Sequence, residues 1–277
     1  MKRAWFVAGL IALGNATLAA QGVMVAPHAV FIDHRLRSGA VLLYNPGTEP
    51  VEVTISTLFG YPVTDSTGAI RLRTVETPDS SLPSALAWIQ AFPRRLTVAP
   101  RERQTVRLLG RPPAGLPDGE YWLRLVIAAQ AGTVPITGVS DTTAIQVGLK
   151  LEVRTIIGVN YRKGPVTTAV ALSNVRAQLV GDSLITRARL ERRGNAAFIG
   201  SIRETLVDST GAVRASYNSP IGVYFTMEPR LATVVAPPRP RGRYWLRYEV
   251  TTEREDLDPV VVLKAPAVRD SVQLIVP

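Results

Sequence analysis

Cysteine is absent from the 277 residues, and histidine occurs only twice, as His28 and His34. The first absence excludes disulfides, thiolate catalysis and cysteine-ligated metals together. Two histidines, spaced to share one face of a regular strand, supply too few ligands for a zinc site and read as surface or rim residues. No glycine-rich phosphate loop or nucleophile elbow occurs. A serine nucleophile would need one of those two N-terminal histidines as its base. Glu253, Glu255, Asp256 and Asp258 form an acidic stretch, but Arg254 interrupts it and no glycine sits where a calcium loop turns. The reading is a non-enzyme with no cofactor and no metal.

Long apolar runs are also scarce. One occurs at the N-terminus: Lys2 and Arg3 precede Ala4–Leu13, and Thr17-Leu-Ala-Ala20 ends in small residues. This pattern is an export signal, 1–20, removed by cleavage. The run is shorter than the roughly 20 residues of a membrane-spanning helix, and a lipobox is impossible without cysteine. No later stretch is apolar enough to span a bilayer, so the exported chain is expected to be soluble and held together by packing alone. Acidic residues are outnumbered, 22 against 32 Lys and Arg, for a net charge of +10. That excess favours acidic surfaces or clients, although the scattered arginines read first as a solvated surface. Nucleic acid is disfavoured by the export signal and by the lack of a helical recognition motif.

What the chain does contain is short β-patterned segments, with no window sustaining a helical period. In the first half these are Val23–Ile32, Ala40–Tyr44, Val51–Leu58, Ala69–Arg73, Ala87–Ile89, Arg94–Val98, Gln104–Leu109 and Tyr121–Ala128. In the second they are Ala169–Leu172, Val175–Leu179, Ser183–Glu191, Gly200–Asp208, Val213–Ser216, Ile221–Phe225, Leu231–Val235, Tyr244–Val250 and Ser271–Val276. Many short strands with turn signals between them predict β-sandwiches.

The two halves share words in the same order. Asp65-Ser-Thr-Gly68, Pro93–Pro100 and Gly119-Glu-Tyr-Trp-Leu-Arg124 return as Asp208-Ser-Thr-Gly211, Pro229–Pro237 and Gly242-Arg-Tyr-Trp-Leu-Arg247. A unit recurring once at domain size is a duplicated fold, predicted at 21–163 and 164–277. Tyr121 and Tyr244, each behind a Pro- and Gly-containing turn, resemble the tyrosine corner of immunoglobulin-like domains. The fold class is therefore all-β, two tandem immunoglobulin-like sandwiches. Trp122 and Trp245 project to the opposite face, where they either stack on a sugar or partner or lie beneath Arg124 and Arg247 as cation–π pairs; their recurrence favours the second.

Between the halves runs the most unusual pattern, Ile145 to Tyr161. Ile145, Val147, Leu149, Leu151, Val153, Ile157, Val159 and Tyr161 share one face, and Gln146, Gly148, Lys150, Glu152, Arg154 and Asn160 the other. Its length is about three times the mean strand.

Val25-Ala-Pro27 before Val30-Phe-Ile-Asp33, Leu43-Tyr-Asn-Pro-Gly47, Leu116-Pro-Asp-Gly-Glu120-Tyr-Trp-Leu123 and Arg154–Arg162 together resemble the PapD-like periplasmic chaperones of the chaperone–usher pilus pathway. Arg192-Arg-Gly-Asn195 and Gly222-Val-Tyr-Phe225 before Pro229-Arg230 resemble a divergent branch of it. The resemblance implies a periplasmic chaperone that lends alternate residues of the long strand to a client lacking its own last strand. Leu149, Leu151 and Val153 would be the donor residues. Glu120 and Arg162 would belong to an interdomain ion-pair network; the competing account is an ordinary surface pair. Pilin-like or other exported β-rich subunits are the implied partners, with an outer-membrane usher a further candidate. The family's carboxylate-anchoring Arg and Lys fall on Ala29 and Gly158, which cannot hold a carboxylate; Arg35, Arg37 and Arg154 are nearby candidates. The alternative is an exported structural or adhesive tandem module without chaperone activity.

Overall fold

The computed structural model describes residues 22–130, 134–135, 148–149, 151–237 and 241–276, and every regular element among them is a strand. The expected export signal, Ile145–Val147 and Lys150 lie outside the described residues.

The first sandwich comprises β1 (Met24–Ala26), β2 (Ala29–Asp33), β3 (Ser38–Tyr44), β4 (Val51–Thr64), β5 (Ile70–Val75), β6 (Ile89–Phe92), β7 (Arg95–Val98), β8 (Arg103–Gly110), β9 (Gly119–Gln130), β10 (Val134–Pro135), β11 (Gly148–Leu149) and β12 (Glu152–Lys163). The second comprises β13 (Thr168–Val180), β14 (Ser183–Gly194), β15 (Phe198–Asp208), β16 (Val213–Val223), β17 (Thr226–Met227), β18 (Arg230–Val234), β19 (Gly242–Thr251) and β20 (Val268–Val276).

One sheet of the first sandwich runs β1-β3-β8-β6 and the other β2-β12-β9-β4-β5, with β7 also beside β4. In the second, β13-β14-β17, with β18 on β14, faces β16-β15-β19-β20. Period-2 alternation fills each core from both sheets. Val41, Leu43, Val53, Ile55, Val106, Leu108, Leu123, Leu125, Ile127, Ile157, Val159 and Tyr161 meet in the first. Leu184, Leu190, Phe198, Ile202, Leu206, Tyr244, Leu246, Tyr248 and Val250 meet in the second. Tyr121 donates its hydroxyl to Pro117 O at 2.9 Å, the corner expected of it. Tyr244 is buried in the second core, and residues 238–240 before it lie outside the described residues.

Three strands run further than their sequences suggest. β4 continues through Gly60 and Pro62 to Thr64, because its ladder with β9 ends at Leu58 and Pro62 pairs only with β5, a position that tolerates a missing N–H. The segments at 169–172 and 175–179 are one strand, β13, whose register shifts between Ser173 and Arg176 around Asn174 at φ 54°. Likewise 213–216 and 221–225 fall in or beside the single strand β16.

The duplicated turns are built alike. Asp65 Oδ1 accepts from the Thr67 N–H and hydroxyl and the Ala69 N–H. Asp208 Oδ1 does the same with Thr210 and Ala212. Gly68 and Gly211 take the positive φ, 86° and 84°, that closes each turn. The Thr67 hydroxyl, with neighbouring N–H groups and Arg71, lowers the Asp65 carboxyl to about 2.

Candidate functional site

Two places stand out, a strand edge on the first sandwich that is open among the described residues and the junction where the sandwiches meet.

The edge belongs to β12. It pairs with β9 along its full length, from Glu152↔Gln130 to Lys163↔Gly119. On its other side β2 runs parallel to it only from Gly158 to Arg162. The short pairing follows from the chain start: β1 lies on β3 in the opposite sheet, and the chain crosses over at Pro27 before β2 joins β12. Residues 153–157 therefore have one ladder neighbour among the described residues. Along the inward-facing row, Ile157, Val159 and Tyr161 are sealed in the first core, whereas Val153 is 37% and Leu151 43% exposed. Ile156, on the other face, is 44% exposed. Val153 has Gly22 beside it, close enough that a Cβ there would sit 3.8 Å away. The expected single strand from Ile145 is interrupted in the described part: β11 at 148–149 pairs with β10, and Leu151 lies outside either strand. Of the predicted donor residues, Val153 thus stands on this edge, Leu151 lies just ahead of it, and the side chain of Leu149 lies outside the described residues.

At the junction, Glu120 and Arg162 come together. Arg162 Nε donates to Glu120 Oε2 at 2.8 Å, with the Glu120 side chain fully buried. Oε1 of Glu120 accepts from Trp122 Nε1 at 2.8 Å and from the Ala197 N–H of the second sandwich at 3.0 Å. Arg162 also reaches Val261 O at 2.6 Å and lies over Phe31. Every oxygen of the buried carboxylate is engaged, as a charge in such a place requires. This is a sealed pair, not an exposed one.

Trp122 is covered as well, 1% exposed, with Tyr224 and Phe225 edge-on at 4.7 and 5.6 Å. They join Phe59, Tyr61, Ala197, Ile199, Leu257 and Val262 in a third apolar cluster drawn from both halves. The cation expected over Trp122 differs from the one found. Arg192, not Arg124, lies 5.7 Å from its ring, and burial pushes the Arg192 guanidinium below its ordinary value against the opposing charge of Glu120. Arg124 lies 4.6 Å over Tyr224 and donates to Gly60 O at 2.8 Å. The reason is the second domain: its Tyr224 occupies the space beside Trp122 that an isolated sandwich would leave to Arg124.

Ala29 and Gly158 face each other in the β2–β12 ladder. A Cβ on Gly158 would lie 2.7 Å from Arg124 Nη1. Arg124, rather than Arg35, Arg37 or Arg154, is the guanidinium beside this pair; Arg154 is turned to Glu152 and Arg37 to His34 O. Asn160 accepts from the Tyr224 hydroxyl at 3.2 Å next to it. Sequence reasoning did not place Arg124, Asn160, Arg192 or Tyr224 here. The available signals were a glycine inside a strand, which marks close approach of another group, and adjacent aromatics at a strand end.

Among the described residues no group of three or more His, Asp or Glu side chains is placed to hold a metal, and no helix is long and apolar enough to cross a membrane. His34 bonds the Tyr161 hydroxyl at 2.7 Å, and Arg254 takes both oxygens of Asp256.

The geometry defines a two-sandwich, immunoglobulin-like protein joined by a buried polar and aromatic junction. No family model and no curated protein matches the chain. Among solved structures it is similar to the YadV chaperone, at 14% identity over 92% of this chain and 100% of that one, with a TM-score of 0.46. It is similar also to the Pseudomonas aeruginosa CupB2 chaperone, at 13% identity over 91% and 100% of the two chains, TM-score 0.42. A third likeness is to the Salmonella enterica complex of the SafA pilin with the SafB chaperone, at 11% identity over 91% and 97%, TM-score 0.42. These likenesses are distant, and the functional reading rests on the chain's own strands and contacts.

Proposed function

We propose that this is a periplasmic chaperone-like protein, exported by a signal at 1–20 and made of domains 21–163 and 164–277, that holds pilus or surface-fibre subunits by lending them the open edge of β12. The observation that supports it most is the run 153–157, with one ladder neighbour among the described residues and exposed apolar residues where it leaves the core. A strand edge left unpaired is an aggregation liability. A client strand would pair with the outer side of 153–157 and take Leu151 and Val153 into an apolar groove. Leu149, two residues earlier in the same alternation, is assigned the same role. Glu120 and Arg162 fix the angle between the domains, and no catalytic step is assigned. An outer-membrane usher is the further partner in this reading.

The test is co-purification from the periplasm with Leu151→Arg and Val153→Arg beside the unaltered chain. Loss of a β-rich client in both variants, with unchanged unfolding midpoints, is the expected result. Equal recovery of the client would sink the donor-strand reading.

A further inference from the structure

The duplicated word ends in Trp-Leu-Arg, and its two copies meet different fates. Trp122 and Arg124 are sealed beneath the second sandwich. Trp245 and Arg247 stand on the outer face of the sheet β16-β15-β19-β20, where Trp245 is half-buried and Arg247 exposed.

The ladders set three rows across that face. Val207, Trp245 and Gln273 form one, Thr205, Arg247 and Ser271 the next, Arg203, Glu249 and Arg269 the third. The last row is internally paired: Glu249 Oε1 meets Arg269 at 2.5 Å and Oε2 meets Arg203 at 3.6 Å, with Glu253 also on Arg203. Arg247 has no ion pair among the described residues, and its strand neighbours Thr205 and Ser271 bring hydroxyls. No ring contact holds Arg247 against Trp245, so the guanidinium and the indole remain separately available among the described residues. A groove of about 620 Å³ opens over Arg247, where the guanidiniums of Arg203, Arg247 and Arg269 meet the carboxylates of Glu249 and Asp270, and Trp245 and Gln273 lie one row further along the ladder, beside the groove and not in its lining. That is the size of a small-molecule site.

We infer that this face binds an acidic saccharide, with its carboxylate on Arg247 and a ring against Trp245. Guanidinium recognises a carboxylate through two parallel N–H donors. The indole lies two residues along the same strand, ~7 Å away by strand rise, about the span between an acidic group and the adjoining ring of an oligosaccharide. Thr205, Ser271 and Gln273 supply the neutral partners that ring hydroxyls need. The inference stands apart from the chaperone reading, since β12 belongs to the other sandwich.

The experiment is calorimetric titration of the full mature chain with trigalacturonate, with maltotriose and with sodium sulfate as separate arms. Saturable binding of trigalacturonate, weakened about tenfold or more by Arg247→Ala and about fivefold by Trp245→Ala, is expected, with maltotriose much weaker. Arg247→Gln, which keeps the stem, supplies the comparison should Arg247→Ala fail to fold. No binding, equal binding of both trisaccharides, or no effect at Arg247 overturns the inference. Sulfate bound as tightly as trigalacturonate means an adventitious ion only and overturns it too.

Discussion

The guanidinium of Arg124 occupies the space that any side chain at position 158 would need, its Nη1 2.7 Å from where a Cβ on Gly158 would stand. The glycine is therefore part of how the arginine is held between Gly60 O and the Tyr224 ring.

Gly158→Ala should then force Arg124 out of a closed place. Overpacking of this kind costs about 1–3 kcal/mol, read as a lower urea midpoint. An unchanged midpoint would mean that Arg124 moves freely and that the junction is looser than its contacts indicate.

Glu120→Ala removes the acceptor for Trp122, Ala197 and Arg162 at once. Breaking a buried pair from one side costs about 3–5 kcal/mol. Adding Arg162→Leu should recover part of that loss, because it removes the stranded charge. A double variant no more stable than Glu120→Ala would disprove the coupling.

Gly68 and Gly211 offer a matched pair. Their φ values are 86° and 84°, but a Cβ on Gly68 would lie 2.6 Å from the Arg230 Cβ, while nothing lies within 4 Å of one on Gly211. Gly211→Ala should cost about 1–2 kcal/mol of left-handed strain, and Gly68→Ala distinctly more. Equal losses in unfolding experiments would remove the contact between the first turn and the second sandwich from the account.

Glu204 is buried in the second core, accepting from Thr186 and, at 3.3 Å, from Thr233, with the buried Tyr248 hydroxyl close by. Burial raises its pKa above the ordinary 4.5. For an acid raised in the folded state, its contribution is complete below the unfolded value and is lost as pH rises towards the folded one. Stability of the second sandwich should thus decline as pH climbs above 4.5, and Glu204→Gln should flatten that decline. Urea titrations across this range that leave the slope unchanged in Glu204→Gln would refute it.

The sandwiches and their turns were legible because they rest on local rules. Asp65 and Asp208 make the same bonds in both copies, and alternation placed Ile157, Val159 and Tyr161 inward. The run past Pro62 was missed because only the ladder shows that its missing N–H faces no partner. The junction was half legible. Glu120 and Arg162 were named through a resemblance, while Arg192 holds the place over Trp122 expected of Arg124, which lies over Tyr224 instead. Which cation covers Trp122 depends on Tyr224, a hundred residues away in sequence, and no periodicity carries that information.

The aromatic cluster around Trp122 has a consequence for how the duplication can be undone. A chain cut after Lys163 would keep its first core but lay Phe59, Tyr61 and Trp122 open to water. Half the gene would encode a protein with a raw wound, prone to clump. The two halves thus cover each other's apolar surface, Ala197, Ile199 and Tyr224 closing over the first and Phe59, Tyr61 and Trp122 over the second.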